Sequence, residues 1–147
     1  MKYYSKWSNK IKFLLHRKLI DGVKSKKALI SGITGQDGAY LANLLLNKGY
    51  KVFGTFRRTS TPNFWRLQSL DIFSKINLIP ADLLDMSSLI NAVKISDPDE
   101  VYNLAAVSFV STAFEQPVAN SQITGTAVTR FMEAIRVVNP NAKFYQA

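Results

Sequence analysis

The sequence contains no cysteine and a single histidine, His16, among its 147 residues. The lack of cysteine excludes disulfides, thiol nucleophiles and cysteine-ligated metals, and one histidine in an N-terminal tail does not make a zinc site, so we expect no metal. No run of about 18 uncharged apolar residues occurs, so no membrane-spanning helix is predicted. We expect a protein of the cytoplasm.

Acidic residues are scarce at the N-terminus, where residues 1–27 carry nine Lys or Arg and one acid, Asp21. The other 120 residues carry ten basic and nine acidic residues, so the net charge of +9 belongs to this tail and not to the globular part. A nucleic-acid-binding fold would spread its basic residues over one face of the domain. We therefore expect no nucleic-acid partner.

Apolar residues recur in the tail at three- and four-residue spacing among the lysines, at Trp7, Ile11, Leu14, Leu15 and Leu19. This pattern predicts a basic amphipathic helix, followed by a solvated linker at residues 23–27. Such a helix can dock on another chain, lie on a membrane surface or have no role, and its modest apolar face disfavours the membrane. Residues 1–27 are thus predicted to be an extension, and residues 28–147 a domain.

Residues 28–41 predict a strand, a tight turn and a helix, because an apolar run leads into three glycines at three-residue spacing and then into a leucine-periodic segment. Gly32 would let the chain reverse, Gly35 would let the backbone approach a pyrophosphate, and Gly38 would let the helix pack closely on the strand. The alternative is a loop that only needs glycine for its own conformation. The strand–turn–helix context favours a dinucleotide on the helix N-terminus.

No acidic residue occurs between Gly38 and Leu70. Sites that prefer NAD place a carboxylate about 20 residues past the first glycine, where it binds the ribose hydroxyls. Here Arg57, Arg58, Thr59 and Ser60 follow the predicted strand 51–56. Guanidinium groups with hydroxyls beside them suit a 2′-phosphate, so we predict NADP. The alternative is a pair of solvated arginines on a loop.

Strand patterns at residues 28–31, 51–56, 76–79, 100–106 and 143–147 alternate with helical patterns. This alternation predicts an α/β fold, a doubly wound parallel (Rossmann) sheet of order 3-2-1-4-5 that is incomplete and ends at its fifth strand. Asp85 is predicted to cap a helix, Pro117 to open a helix or its preceding turn, and residues 123–138 to be helical. Residues 61–73 show no clean period and are treated as an excursion toward another chain or the substrate.

Six stretches together resemble one family: residues 28–38, 57–60, 81–83, 102–106, 133–136 and 144–147. The Gly-Ile-Thr-Gly-Gln-Asp-Gly turn at residues 32–38, combined with the Arg-Arg pair, is the most specific of these. Over residues 28–147 the sequence is similar to the N-terminal portion of GDP-mannose 4,6-dehydratases. These are extended short-chain dehydrogenase/reductases that act on sugar nucleotides.

The resemblance implies an NADP-dependent lyase that converts GDP-mannose to GDP-4-keto-6-deoxymannose, and a homo-oligomer. In this reaction a hydride leaves C4 of the mannose, water is lost across C5 and C6, and the hydride returns to C6. The implied pyrophosphate site is Gly32, Ile33, Thr34, Gly35, Gln36 and Asp37, closed by Gly38, and the implied 2′-phosphate site is Arg57, Arg58 and Ser60. The implied adenine contacts are Asp82 and Leu83, and the implied ribose and nicotinamide contacts are Leu104, Ala105, Ala106 and Ser108. Asp82 has an alternative role as a strand-end turn residue, and the two alanines have one in core packing.

Two departures from the family pattern keep a GDP-4-keto-6-deoxymannose reductase or a related epimerase as the nearest alternative. Val107 replaces a longer residue, usually Gln, and residues 119–124 lack the family's Tyr-Thr-Ala-Asn-Val-Asp pattern. The family's catalytic hydroxyl, glutamate and Tyr-x-x-x-Lys pair also have no counterpart, so no catalytic residue is assigned. We expect a truncated or fragmentary chain that is inactive alone. A non-catalytic NADP-binding interaction module is the alternative of another class.

Overall fold

The computed structural model describes residues 25–147, which form one parallel sheet with helices on both faces. The strands are β1 (Lys27–Ser31), β2 (Lys51–Phe56), β3 (Asn77–Pro80), β4 (Glu100–Asn103) and β5 (Lys143–Gln146). The helices are α1 (Gln36–Asn47), α2 (Trp65–Ser69), α3 (Met86–Ser96), α4 (Val110–Glu115), α5 (Pro117–Asn120) and α6 (Ala127–Val138), with a 3₁₀ turn at Phe73–Lys75 and a π-helical segment at Ser121–Thr126. The amphipathic helix predicted in the tail lies outside the described residues.

The strand order is β3-β2-β1-β4-β5, and every pair is parallel, which confirms the predicted topology. Side chains alternate along β1, so Ala28 and Ile30 face one layer while Leu29 faces the other. The first layer contains α1 and α2, and the second contains α3 and α6. Because both faces are covered, the central strands are apolar throughout and the carboxyl ends of the strands are left to carry polar groups.

The structure confirms two predicted helix starts, at Asp85 and at Pro117. Asp85 caps α3, since its carboxylate accepts hydrogen bonds from the backbone N–H groups of Ser87 and Ser88 at 3.2 and 3.0 Å. Pro117 occupies the first turn of α5, where its missing N–H is not needed. Residues 123–138 are helical as predicted, but Ser121–Thr126 is π-helical and α6 begins only at Ala127. The sequence did not predict α4.

Residues 25–27 contact the fold, although the sequence assigned them to a solvated linker. Lys27 is the first residue of β1, and the Lys26 carbonyl accepts a hydrogen bond from the Lys51 N–H at 2.8 Å. The Ser25 hydroxyl donates to the Gly49 carbonyl at 2.8 Å. The sheet therefore begins one residue earlier than predicted, because backbone pairing with β2 recruits residues whose side chains are polar.

The aperiodic residues 61–73 are anchored in the core by Leu67 and Ile72, which are buried. A five-residue helix shows too few turns for a helical period to appear in the sequence.

Within residues 25–147, no helix has both the length and the apolar character needed to cross a bilayer.

Candidate functional site

The glycine turn joins β1 to α1 at the carboxyl end of the sheet. Gly32 has φ +71°, and a Cβ there would lie 2.9 Å from the backbone N of Ala105. A Cβ at Gly38 would overlap the Gly32 carbonyl oxygen and lie 2.8 Å from the Ile33 Cα. The chain reversal at Gly32 and the close helix–strand packing at Gly38 are therefore both built as the sequence predicted.

The N-terminus of α1 is open toward solvent. Gly35 is the N-cap and provides no side-chain hydrogen bond. The N–H groups of Gln36 and Asp37, both exposed residues, have no acceptor within the described part of the chain. Because α1 is twelve residues long, these N–H groups and the helix dipole make this end attractive to an anion.

A chain of hydrogen bonds ties together the carboxyl ends of three strands. The buried Ser31 hydroxyl donates to the Asn103 side-chain oxygen, and the Asn103 amide donates to the Gln146 side chain at 2.7 Å. The same hydroxyl accepts from the Ala105 N–H at 3.3 Å, and the Ser31 carbonyl accepts from the Leu104 N–H at 3.3 Å. The turn after β4 is thereby held against the glycine turn.

Between these two turns lies a cleft of about 350 Å³. The predicted site residues that line it are Gly32, Thr34, Gly35, Arg57, Asp82, Leu83, Leu104, Ala105, Ala106 and Ser108. The sequence did not predict six further lining residues: Thr55, Phe56, Ala81, Leu89, Val107 and Ile123. The structure therefore brings ten of the predicted residues to one cavity at the switch point of the sheet.

The arginine pair follows β2 directly. Arg57 lines this cleft and also a second, adjoining cavity of about 730 Å³, which Arg58 and Thr59 line as well. Both arginines are exposed, and neither has a carboxylate within 4.0 Å among residues 25–147. Ser60 is exposed and lines neither cavity. Both guanidinium groups are consequently available for a ligand.

Four other predicted residues do not line the cleft with their side chains. Ile33 is fully buried in the core, Gly38 is buried under the turn, Asp37 is exposed, and Gln36 lines a separate groove beside Tyr40.

Asp82 has a structural role that can be seen directly. Its side chain accepts a hydrogen bond from the Leu84 N–H at 2.9 Å, and its own N–H donates to the Ser88 hydroxyl at 3.0 Å. These contacts match the strand-end turn role that the sequence left open, while the residue also lines the cleft.

The two stretches that depart from the family pattern contact each other. The Thr124 hydroxyl accepts a hydrogen bond from the Val107 N–H at 3.1 Å and donates to the Asn120 side chain at 3.0 Å. Thr124 lies in the π-helical segment, whose neighbouring Ile123 reaches the cleft. π-Helical turns occur frequently at functional sites, but no short-range sequence pattern predicted this one.

In the described range, no three His, Cys, Asp or Glu side chains are grouped to hold a metal ion.

Comparison with known proteins identifies relatives along most of the chain. The sequence model of the family described as GDP-mannose 4,6 dehydratase matches residues 29–147. A GDP-mannose 4,6-dehydratase of Yersinia enterocolitica is 43% identical over 129 residues, covering 83% of this chain and 35% of the relative. One from Vibrio cholerae is 45% identical over 130 residues, with 83% and 35% coverage. One from Arabidopsis thaliana is 43% identical over 138 residues, with 86% and 38% coverage.

Solved structures share the fold at lower identity. The enzyme WbmH of Bordetella bronchiseptica, in complex with NAD⁺, has a TM-score of 0.63 and 22% identity, covering 79% of this chain and 37% of that protein. UDP-glucose 4-epimerase of Brucella ovis, in complex with NAD, has a TM-score of 0.70 and 20% identity, with 83% and 35% coverage. The chain thus spans little more than a third of the length of the relatives it matches.

Proposed function

The chain belongs to the GDP-mannose 4,6-dehydratase family, and on that premise we propose that residues 28–147 form the cofactor-binding part of an NADP-dependent sugar-nucleotide lyase. The substrate proposed for the whole protein is GDP-mannose, and the product is GDP-4-keto-6-deoxymannose. The relatives named for this reaction are nearly three times as long as the stretch that they share with this chain. We assign no catalytic residue to the chain and expect it to be inactive alone.

The glycine turn supports a bound pyrophosphate. Gly32 and Gly38 bring β1, α1 and the turn after β4 so close together that side chains are excluded. The free N–H groups of Gln36 and Asp37 at the N-terminus of α1 are then available as neutral donors to phosphate oxygens. The proposed pyrophosphate contacts comprise backbone atoms of Gly32, Ile33, Thr34, Gly35, Gln36 and Asp37.

The single observation that carries the NADP proposal is the position of Arg57, which follows β2 and lines the cleft with no carboxylate within 4.0 Å of its guanidinium among residues 25–147. A 2′-phosphate gives two guanidinium groups a charge-assisted partner that a ribose hydroxyl does not. Two solved proteins of this fold, WbmH and the Brucella ovis epimerase, are in complex with NAD, which supports a dinucleotide in the cleft. The arginine pair, with Ser60 at its side, supports the phosphorylated form.

The opposite half of the cleft supports the adenine, ribose and nicotinamide. We assign the adenine to Asp82 and Leu83, and the ribose and nicotinamide to Leu104, Ala105, Ala106 and Ser108. NADP, when bound, supplies a hydride acceptor and donor. The small side chains of Ala105 and Ala106 let a ring approach the backbone, and the Ser31 hydroxyl keeps that backbone in place.

The test is a titration of the 147-residue chain with NADP and with NAD, read by calorimetry. We expect NADP to bind at least about tenfold more tightly, because charge-assisted hydrogen bonds each contribute about 1.5 kcal/mol or more. Arg57→Ala combined with Arg58→Ala should abolish this preference while keeping the affinity for NAD. Lys94→Ala, which removes an exposed cation on α3, is the matched control and should leave the preference intact.

Equal affinities of the wild-type chain for NADP and NAD would refute the 2′-phosphate assignment. Binding of neither dinucleotide would refute the cofactor-binding role altogether. A reductase or epimerase remains the alternative for the whole protein. Identifying the products that the full-length enzyme forms from GDP-mannose distinguishes a dehydratase from these alternatives. Homo-oligomerisation and a cytoplasmic location stay predictions, and sizing of the purified chain tests the first.

A further inference from the structure

One peptide in the glycine turn, the Thr34–Gly35 unit, is held at both of its polar atoms. Its N–H, which belongs to Gly35, donates to the Gly32 carbonyl at 2.9 Å. Its carbonyl, which belongs to Thr34, accepts a hydrogen bond from the Arg66 guanidinium at 3.2 Å. A peptide fixed at both ends cannot rotate without losing two hydrogen bonds, so the orientation of the N–H groups that follow it is also fixed.

Arg66 is placed for this contact by the aperiodic segment before β3. It belongs to α2, which Leu67 anchors in the core, and its guanidinium stacks on the Trp65 ring with 4.4 Å between the guanidinium carbon and the ring centroid. No carboxylate lies within 4.0 Å of this guanidinium among residues 25–147. Arg66 thus donates to a neutral carbonyl and stacks on a neutral ring, in addition to lying in the last turn of α2 where the helix dipole favours a cation.

We propose that Arg66 is a positioning residue for the phosphate-binding turn. It holds the Thr34–Gly35 peptide, so that the N–H groups of Gln36 and Asp37 keep their orientation for the ligand. The inference rests on the proposed function, because it assigns Arg66 to the pyrophosphate part of the same site. It also explains why residues 61–73, which carry no strand or long helix, are packed against the turn.

The test compares Arg66→Met, which keeps an apolar stem and removes the guanidinium, with Arg130→Met. Arg130 is the matched control because its guanidinium also donates to a backbone carbonyl, that of Gln122 at 3.3 Å, away from the glycine turn. Two ligands are used: NADP, and adenosine 2′-phosphate, which lacks the pyrophosphate. Hydrogen exchange of the Gly35 amide is measured without any ligand.

For Arg66→Met we expect the Gly35 amide to exchange about tenfold faster and NADP to bind about tenfold more weakly, the effect of losing one hydrogen bond to a charged donor. Adenosine 2′-phosphate should bind within about twofold of wild type, because its contacts lie with the arginine pair. Arg130→Met should change none of the three. If Arg66→Met does not fold, Arg66→Lys replaces it, and its Gly35 exchange and NADP affinity must both change in the stated directions.

Unchanged NADP affinity or unchanged Gly35 exchange in Arg66→Met would overturn the proposal. Equal losses for NADP and adenosine 2′-phosphate would overturn it too, since they would make Arg66 a general contributor to charge or folding. If the wild-type chain binds no NADP, the proposed function fails. The exchange rate of Gly35 still decides in that case whether Arg66 holds the turn.

Discussion

The two ends of the parallel strands differ in how their charged side chains are paired. At the amino end, Lys26 pairs with Glu100 at 3.0 Å and Lys27 pairs with Asp97 at 2.9 Å. At the carboxyl end, Arg57 and Arg58 have no carboxylate within 4.0 Å in the described range. Lys26 and Lys27 at the amino end are therefore paired within the fold, whereas Arg57 and Arg58 at the carboxyl end are available for a ligand.

The contacts at the amino end also shift the pKa values of the residues that form them. Burial raises the pKa of Glu100, but hydrogen bonds from Tyr102, Lys26 and Tyr50 outweigh it and hold that pKa below its ordinary value. Burial and the neighbouring Glu100 carboxylate raise the pKa of Tyr102 to about 12. The hydrogen bond to Glu100 also raises the pKa of Lys26. The charged forms of Glu100 and Lys26 thus stabilise each other, whereas Tyr102 is held in its neutral form.

The largest effect is expected from Gly38→Ala, where packing at the carboxyl end dictates the residue. The added Cβ would overlap the Gly32 carbonyl oxygen, so α1 must shift away from β1. We expect the free energy of unfolding to fall by about 3 kcal/mol, measured by chemical denaturation. Gly125→Ala is the control, because its Cβ would meet nothing within 4 Å. Equal stability of the two variants would contradict the close packing.

Asn103→Ala tests whether the carboxyl end also contains structural polar groups. The substitution leaves the buried Ser31 hydroxyl without its acceptor and cuts the link to Gln146. We expect a loss of about 2 kcal/mol in the free energy of unfolding, the typical cost of an unpaired buried polar group. Asn91→Ala, on the exposed face of α3, should cost less than about 0.5 kcal/mol. A smaller loss for Asn103→Ala than for Asn91→Ala would count against the hydrogen-bonded chain.

Glu100→Gln tests the paired charges of the amino end. We expect the free energy of unfolding to fall by about 1 kcal/mol near neutral pH. Because the pKa of Glu100 is lowered in the folded state, the stabilisation is present above its ordinary value and is lost as the pH falls through the folded value. The difference between wild type and variant should therefore shrink on acidification, as urea titrations at several pH values would show. Glu115→Gln is the exposed control, and a difference that grows in acid would reverse the assigned sign.

The smallest effect on stability is expected from Arg57→Ala combined with Arg58→Ala. These exposed cations have no ion-pair partner to lose within the described residues, so the ligand-free free energy of unfolding should stay within about 0.5 kcal/mol of wild type. Thermal unfolding with and without NADP is the measurement, and NADP should stabilise the wild type more than the variant. A marked loss of ligand-free stability would show that both ends of the sheet use their charges alike.

The topology and the glycine turn could be predicted because they depend on local patterns. An apolar run, a glycine spacing and an N-cap such as Asp85 all act within a few residues. The position of Arg66 could not be predicted, because its contact with Thr34 joins residues 32 apart and a helix of five residues leaves no periodic pattern. The contact of Thr124 with Val107 was missed for the same reason.

The hydrogen bond between Ser31 and Asn103 also bears on the order in which the chain folds. This hydrogen bond joins residues 72 apart. The chain between them forms β2 and β3 on one side of β1 before it returns to place β4 on the other side. Long loops are slow to close, so β1, α1 and β2 can assemble while the Ser31 hydroxyl still has no protein partner. The cleft is complete only with β4 in place, because the turn that follows β4 supplies Leu104, Ala105 and Ala106 to its lining.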